Sequence, residues 1–153
     1  MKKIFKIFCL FLFIISCENN SYDQNYKNYE DFKSIQNPRL SGWFPSIIKS
    51  DAYELKSISY LDKCAFGKFN YSNNSYYDSI FLNYPKVETF AFQQKVRQFE
   101  NLKPSWFLDT DKFNAKDFEI VKDNQFNIAR KKSTKEIYSF WTPVSADSNP
   151  KFK

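Results

Sequence analysis

The 153-residue sequence contains no histidine and only two glycines, Gly42 and Gly67. Without histidine, the chain cannot form a histidine-based catalytic triad, use histidine as a general base or offer the commonest metal ligand. Phosphate-binding P-loops and dinucleotide-binding fingerprints need several glycines in one loop, so two isolated glycines exclude both. We therefore expect a protein that is not an enzyme and that holds no cofactor or metal ion.

Aromatic residues are abundant instead, with 18 Phe, 10 Tyr and 3 Trp. Apolar residues account for 42% of the chain and charged residues for 26%, which is the balance of a globular rather than a disordered protein. The length suits one domain and leaves no room for two. We expect most of the large aromatic side chains to fill the core of this domain.

The first 17 residues, MKKIFKIFCLFLFIISC, have the organisation of an export signal. Three lysines precede an unbroken apolar run at residues 7–15, which is too short to span a membrane but suits the apolar segment of a signal peptide. Residues 14–17, Ile-Ile-Ser-Cys, resemble the lipobox of bacterial lipoproteins. That resemblance implies cleavage after residue 16, acylation of Cys17 and attachment of the exported protein to a membrane, on the periplasmic face or at the cell surface.

Removal of residues 1–16 would change both the charge and the cysteine content. Three lysines and no acidic residue leave with the leader, so the net charge falls from +6 to +3 in a mature chain of 137 residues. Much of the basic character therefore belongs to the leader, and we expect no nucleic-acid partner. Cys9 is lost and Cys17 carries the lipid, which leaves Cys64 and no intramolecular disulfide. Because Cys64 lies in an apolar stretch with no histidine to activate it, we predict a buried, unreactive thiol.

The mature chain divides by composition into a lipid anchor and polar tether at 17–37, an α+β domain at 38–143 and a flexible tail at 144–153. The tether leaves two interpretations open. As a flexible chain, it would reach about 25 Å from the membrane. Its aromatic residues recur at helical spacing, however, which favours an amphipathic helix from about residue 22 that docks on the domain. These residues are Tyr22, Tyr26, Tyr29 and Phe32.

The domain is predicted to be a small α+β fold, an antiparallel sheet with one or two helices. Stretches rich in β-branched and aromatic residues predict its strands. These strands cover 52–60, 66–71, 79–83, 118–121, 126–130 and 136–142, and the last two form a hairpin across 131–135. Phe92, Val96 and Phe99 recur at helical spacing and predict a helix over about 88–101.

Parts of the domain resemble small bacterial proteins described as YbbD head domain-like. The matching segments are SGWFPSII at 41–48, YELKSISYLDKCAFGKFNY at 53–71, PSW at 104–106 and IYSFW at 137–141. The resemblance covers about 38–143 and implies a small lipid-anchored or membrane-associated domain, with no catalytic residues to carry over. Such proteins usually have Asp-x-Asn after the first strand, whereas this chain has Asp-Lys-Cys at 62–64.

The run Asp109-Thr110-Asp111 is similar to the start of a calcium-binding loop. An EF-hand loop that begins at Asp109 needs Gly at its sixth position and Glu at its twelfth, where this chain has Asn114 and Ile120. The mismatch favours a solvated turn or a helix cap over a metal site.

Asp117 and Glu119 would share one face of a strand, as a general acid and a general base require. Carboxylates two residues apart are common on exposed strands, and no partner for them is adjacent in the sequence. A carboxylate-dependent hydrolase that uses Asp109, Asp111, Asp117 or Glu119 is therefore the least favoured hypothesis.

Six residues form the predicted partner surface. The tryptophans could act as a sugar-stacking platform or as a hot spot for a protein. Tyr71, Tyr76 and Tyr77, beside an Asn/Ser loop, are expected to be exposed. The basic tip of the predicted hairpin, at 130–135, could contact anionic lipid head groups or an acidic partner protein. The six residues are Trp43, Tyr76, Tyr77, Arg130, Lys131 and Lys132.

The sequence therefore favours a lipid-anchored domain of the cell envelope that acts through a protein partner and catalyses no reaction. The alternative is an immunity or inhibitor-type lipoprotein that neutralises a toxin or a lytic enzyme at the membrane. Both hypotheses predict membrane attachment at Cys17, and they differ in what the partner does.

Overall fold

A computed structural model describes residues 21–35 and 41–143. Six antiparallel strands form one sheet in the order β1-β2-β3-β6-β5-β4. The strands are β1 Ser21–Asn28, β2 Ala52–Tyr60, β3 Cys64–Tyr71, β4 Phe118–Asp123, β5 Phe126–Lys131 and β6 Glu136–Trp141. The α-helices in the described residues are α1 Tyr29–Lys33, α2 Asn74–Asn83 and α3 Thr89–Arg97, with short 3-10 helices at Glu100–Leu102 and Ala115–Asp117. The predicted α+β fold of a single small domain is thus confirmed.

The sheet is buried on both faces, which we call the α2 face and the α3 face after the helix that covers each. Alternate residues of β3 point to opposite faces, so Phe69 packs in the α2-face core while Phe66 packs in the α3-face core. The segment around Ile47 completes the cover of the α2 face, and the segment around Phe107 completes that of the α3 face. Burial on both sides explains why the central strands show little polar alternation.

The helix predicted from residue 22 is wrong, because residues 21–28 form the edge strand β1. A spacing of four residues fits a strand as well as a helix, since four is a multiple of the two-residue strand period. Tyr26 points to the α2 face, where its ring lies 5.9 Å from that of Phe44. The chain turns helical only at α1, where the Asn28 side chain accepts a hydrogen bond from the backbone N–H of Asp31 at 3.0 Å. The sheet therefore begins inside the segment that was predicted to be a tether.

The short strand predicted at 79–83 is also wrong, because this segment belongs to α2. Asn73 is its N-cap, and the Asn73 side chain accepts a hydrogen bond from the backbone N–H of Ser75 at 2.8 Å. Tyr77, Ile80 and Phe81 then fall on one buried helical face. The Asn/Ser stretch that suggested only a loop thus supplies the cap that starts a helix.

The other predicted elements are present with small changes in their bounds. The helix expected at 88–101 is α3, followed by the first 3-10 helix, and Phe92 and Val96 are buried as expected. β5 and β6 form the predicted hairpin. The described part of the chain holds three α-helices where one or two were expected.

The two ends of the sheet carry different turns. At one end, which we call the β2–β3 end, Ser21 pairs with Tyr60 and Ala65 pairs with Trp141. At the opposite end, the β5–β6 end, the hairpin turn lies beside the start of α2. The β4 edge is partly covered, because the backbone N–H of Val87 donates to the carbonyl of Ile120 at 2.9 Å.

Gly67 provides a test of the packing on the α2 face. A Cβ added to Gly67 would lie well inside van der Waals distance of the Ser139 hydroxyl, which is buried and has no hydrogen-bond partner among the described residues. Gly67→Ala alone is expected to lower the free energy of unfolding by about 1–3 kcal/mol through overpacking. Urea denaturation measures the change.

Ser139→Ala is the matched variant, because it removes an unpaired buried hydroxyl and is expected to be neutral or stabilising. The double variant with Gly67→Ala should recover most of the loss, which would appear as a coupling energy between the two positions. Additive effects of the two substitutions would show that the contact between these positions is not the cause.

Candidate functional site

Cys17 lies outside the described residues, so its lipidation stays a prediction. The chain distance from it to the sheet is short, because β1 begins at Ser21. Four residues span at most about 14 Å even when fully extended. The β2–β3 end of the sheet is therefore held close to whatever Cys17 is attached to.

Cys64 is fully buried at the start of β3, as predicted. Burial raises the pKa of the Cys64 thiol to about 12, although the charge of Lys63 opposes the shift. The thiolate that would act as a nucleophile is therefore scarce at neutral pH.

The β5–β6 hairpin and the adjoining 3-10 helix before β4 present a group of lysines, which we call the lysine cluster. Lys132 Nζ donates to the carbonyl of Lys116 at 2.9 Å, and Lys135 Nζ donates to that of Ser72 at 3.0 Å. Backbone carbonyls hold these two side chains in place, and neither ammonium has a carboxylate within ion-pair distance in the described part of the chain. Members of the cluster form no direct ion pair with a carboxylate of the described residues. They are Lys116, Lys131, Lys132 and Lys135.

Glu136 ends the hairpin turn but is already paired, with Lys68 Nζ at 2.5 Å from Glu136 Oε1. Burial would raise the pKa of Glu136, yet the hydrogen bond and the charge of Lys68 outweigh it and hold the pKa below its usual value. This carboxylate therefore stays ionised with Lys68 as its direct partner, and the charge of Lys131 also helps to lower its pKa.

Arg130, predicted to lie on the partner surface, is used inside the fold. Its Nη2 lies 2.6 Å from Glu119 Oε2 and its Nη1 lies 3.0 Å from Asp78 Oδ1. The guanidinium also stacks 4.5 Å from the ring centroid of Phe81. Since its side chain is only 16% exposed, Arg130 joins α2 to the sheet and offers little surface to a partner.

Tyr71 and Tyr77 are buried, so the expectation that they are exposed is wrong. Tyr77 lies on the inner face of α2, and its hydroxyl is 2.7 Å from the carbonyl oxygens of Lys131 and Thr134. It thereby fixes the hairpin that carries the lysine cluster. Tyr76 lies on the outer side of α2 and is exposed, as predicted.

The tryptophans do not form one platform with the basic residues. Trp43 packs edge-to-face on Trp141, with ring centroids 5.2 Å apart on the α2 face. Trp141 belongs to the β2–β3 end, since it pairs with Ala65, and is thus far from the hairpin turn. Trp106 packs in the core of the opposite face. The predicted partner surface therefore splits, with Trp43 separated from Lys131 and Lys132.

The four candidate carboxylates do not converge. Asp109 Oδ1 accepts a hydrogen bond from the backbone N–H of Asp111 at 3.0 Å, which is the main cause of its lowered pKa. Asp111 pairs with Arg97, and Glu119 pairs with Arg130. Asp117 ends a 3-10 helix before β4, so the predicted shared strand face with Glu119 is wrong. No group of three or more metal-ligating side chains is close enough to hold an ion in the described part of the chain.

Sequence reasoning missed two features of the surface. A shallow cavity of about 270 Å³ lies between aromatic side chains of the α3 face, including Phe113 and Tyr138, with Lys131 on its wall. Leu82 and Phe90 are 80% and 68% exposed on either side of the segment that covers the β4 edge. Phe90 could have been found from the sequence, because it falls off the helical face that Phe92 and Val96 define.

Comparisons with protein-family models, with curated proteins and with solved structures found no match to this chain. The resemblance to YbbD head domain-like proteins stays a prediction. Among the described helices, none has the length and apolar character needed to cross a membrane.

Proposed function

We propose that the mature chain is a lipid-anchored domain of the cell envelope that catalyses no reaction and binds an acidic protein partner through its β5–β6 end. One observation carries the proposal. The sheet starts four residues after Cys17 at the β2–β3 end, whereas the lysine cluster lies at the opposite end.

The distance between the two ends of the sheet allows one end to lie near the lipid anchor while the other binds a partner. β1 has eight residues, which corresponds to about 27 Å along the strand. A lysine cluster at this distance from the anchor faces away from the lipid when the strands stand upright. Of the two partners considered for the hairpin, anionic head groups and an acidic protein, the geometry favours the protein.

The charge of the hairpin suits fast and selective binding. Four lysines without a direct ion pair lie at one end of the sheet, where they attract an acidic surface and repel a basic one. Tyr77 and Arg130 hold the hairpin rigidly on α2, so little ordering is needed on binding. The exposed ring of Tyr76 adds an amphipathic side chain in the first turn of α2, the helix on which the hairpin is held.

Replacing the anchoring cysteine tests the first half of the proposal. Cys17→Ser is expected to abolish acyl labelling in cells and to leave an uncleaved or soluble protein, because the thiol that carries the lipid is gone. Metabolic labelling with an alkyne-bearing fatty acid, followed by membrane fractionation, measures both effects. Cys64→Ser is the matched control and should leave labelling intact. Unchanged membrane attachment of Cys17→Ser would refute lipid anchoring at this residue.

Site-specific cross-linking tests the second half. A photo-reactive amino acid at Lys132 is expected to capture one partner, whereas the same group at Lys95, an exposed lysine of α3, should not. Lys131→Glu in the same chain should weaken capture about tenfold or more, since charge reversal adds repulsion to the lost attraction. Equal capture from both positions would refute the assigned surface. A captured toxin or lytic enzyme whose activity falls on binding would identify the protein as an inhibitor.

A further inference from the structure

The β2–β3 end of the sheet exposes apolar surface close to the predicted lipid. Leu61 lies in the tight turn between β2 and β3 and is 55% exposed, and Tyr22 in β1 is 54% exposed. Ser21 pairs directly with Tyr60, so the turn and the first residue of β1 lie side by side. The turn is rigid, since Asp62 has a left-handed backbone with φ of 58° and the N–H of Lys63 donates to the carbonyl of Tyr60 at 3.0 Å.

The chain between Cys17 and Ser21 limits how far this end can lie from the membrane. Its maximum reach is about 14 Å. The head-group region of one leaflet is about 5–8 Å thick, so Ser21 at the start of β1 lies within about two to three head-group thicknesses of the lipid-bearing residue. The chain does not have the reach of a 20-residue flexible tether, because β1 and α1 together take up residues 21–33 of that segment.

The chemistry of this end suits the interface between lipid and water. Leu61 offers an apolar side chain at the tip of the turn, and amphipathic aromatic side chains such as Tyr22 favour the head-group level. Trp43 and Trp141, both partly exposed, lie at the same end. Asp62 and Lys63 follow Leu61 and are both exposed, and the ammonium of Lys63 can meet a lipid phosphate.

We propose that the β2–β3 end lies against the head groups of the leaflet that holds the acyl chains, with Leu61 inserted at the interface. The proposal rests on lipid attachment at Cys17. Contact at this end sets the orientation of the domain and directs the lysine cluster into the aqueous phase. The protein would therefore present the lysine cluster at a fixed distance from the membrane instead of at the end of a flexible tether.

Depth-dependent fluorescence quenching tests the orientation. The acylated, full-length mature protein is placed in vesicles of phosphatidylethanolamine and phosphatidylglycerol that contain a lipid with a shallow nitroxide. A fluorophore is attached through Leu61→Cys in one sample and through Lys132→Cys in a matched control. Cys64 does not compete for the label, because its thiol is buried. We expect quenching at position 61 to be at least about threefold greater than at position 132, as for side chains that enter the interface.

The outcomes separate this proposal from lipid anchoring itself. Acylated protein that sediments with the vesicles but shows equal or weaker quenching at position 61 would overturn the orientation and leave the anchor intact. Stronger quenching at position 132 would assign the membrane contact to the hairpin instead. Protein that carries no acyl chain would overturn the anchor and, with it, the orientation. Circular dichroism of both labelled variants checks that each keeps the fold.

Discussion

Phe140→Ala is expected to lower the free energy of unfolding by about 3–5 kcal/mol, the largest effect of any substitution proposed for this domain. Phe140 lies in β6 and is fully buried on the α3 face. Its ring meets four others, so its removal opens a cavity that several rigid side chains surround. Those rings are Phe66 at 5.1 Å, Phe99 at 5.9 Å, and Phe92 and Phe107 at 6.5 Å each.

The loss is large because aromatic rings relax poorly into a void. Aliphatic side chains can change rotamer to fill part of a cavity, whereas planar rings packed at tilted or edge-on angles keep their positions and lose contacts. Domains of this size have total stabilities of about 5–15 kcal/mol, so the variant should keep only part of its folded population at 37 °C. Urea denaturation followed by circular dichroism measures the difference from the unsubstituted protein.

Phe90→Ala provides the matched control, since it makes the same chemical change at a ring that is 68% exposed on α3. We expect this variant to change the free energy of unfolding by no more than about 0.5 kcal/mol. Similar losses for the two substitutions would contradict the assignment of Phe140 to the centre of the core. A loss for Phe90→Ala alone would show that the exposed ring packs against something else.

The sequence predicted well those elements whose apolar residues recur at a spacing that fits only one type of secondary structure and that places them on one buried face. Phe92, Val96 and Phe99 predict α3 because the seven-residue step from Phe92 to Phe99 fits a helix and not a strand. The aromatic residues of 22–32 failed as a guide because Tyr22 and Tyr26 satisfy both periods, and only the pairing of β1 with β2 decides between them. Strand pairing is a long-range property, and no local pattern contains it.

For the partner surface, the sequence predicted the basic character of the hairpin but not the contacts that hold the hairpin in place. A run of lysines near 131–135 indicates a basic hairpin, and the structure places such a hairpin at one end of the sheet. The roles of Tyr77 and Arg130 could not be predicted, because their partners are distant in sequence. Arg130 pairs with Asp78 across 52 residues, and the Tyr77 hydroxyl meets Lys131 across 54. Such contacts depend on the packing of α2 against the sheet.

Arg130→Ala is expected to lower the free energy of unfolding by about 2–3 kcal/mol. Arg130 is the main link between α2 and the last three strands, through Asp78 on the helix and Glu119 on β4. Two of its N–H groups donate to Glu119 Oε2, from Nε at 2.9 Å and from Nη2 at 2.6 Å. Removing the guanidinium leaves the Glu119 carboxylate, three-quarters buried, with Lys86 as its remaining cation.

The expected loss is smaller than for a fully buried pair because Lys86 still compensates part of the charge. Arg130→Lys should restore less than half of it, since an ammonium cannot donate in the same forked geometry or stack flat on Phe81. Lys132→Ala on the same hairpin is the control and should stay within about 0.5 kcal/mol of the unsubstituted protein, because its charge faces solvent. Thermal and urea denaturation measure these differences.

A double-mutant cycle with Glu119→Gln then separates the ion pair from the stacking. If the link between α2 and the sheet is the ion pair, the two substitutions together should cost less than their sum. Fully additive losses would assign the effect to stacking on Tyr77 and Phe81 instead. In both cases, loss of Arg130 leaves the Tyr77 hydroxyl as the remaining hydrogen-bond donor from α2 to the hairpin, so cross-linking of a partner from position 132 should weaken together with stability. A variant that is destabilised but still cross-links at full yield would show that the hairpin needs no support from Arg130.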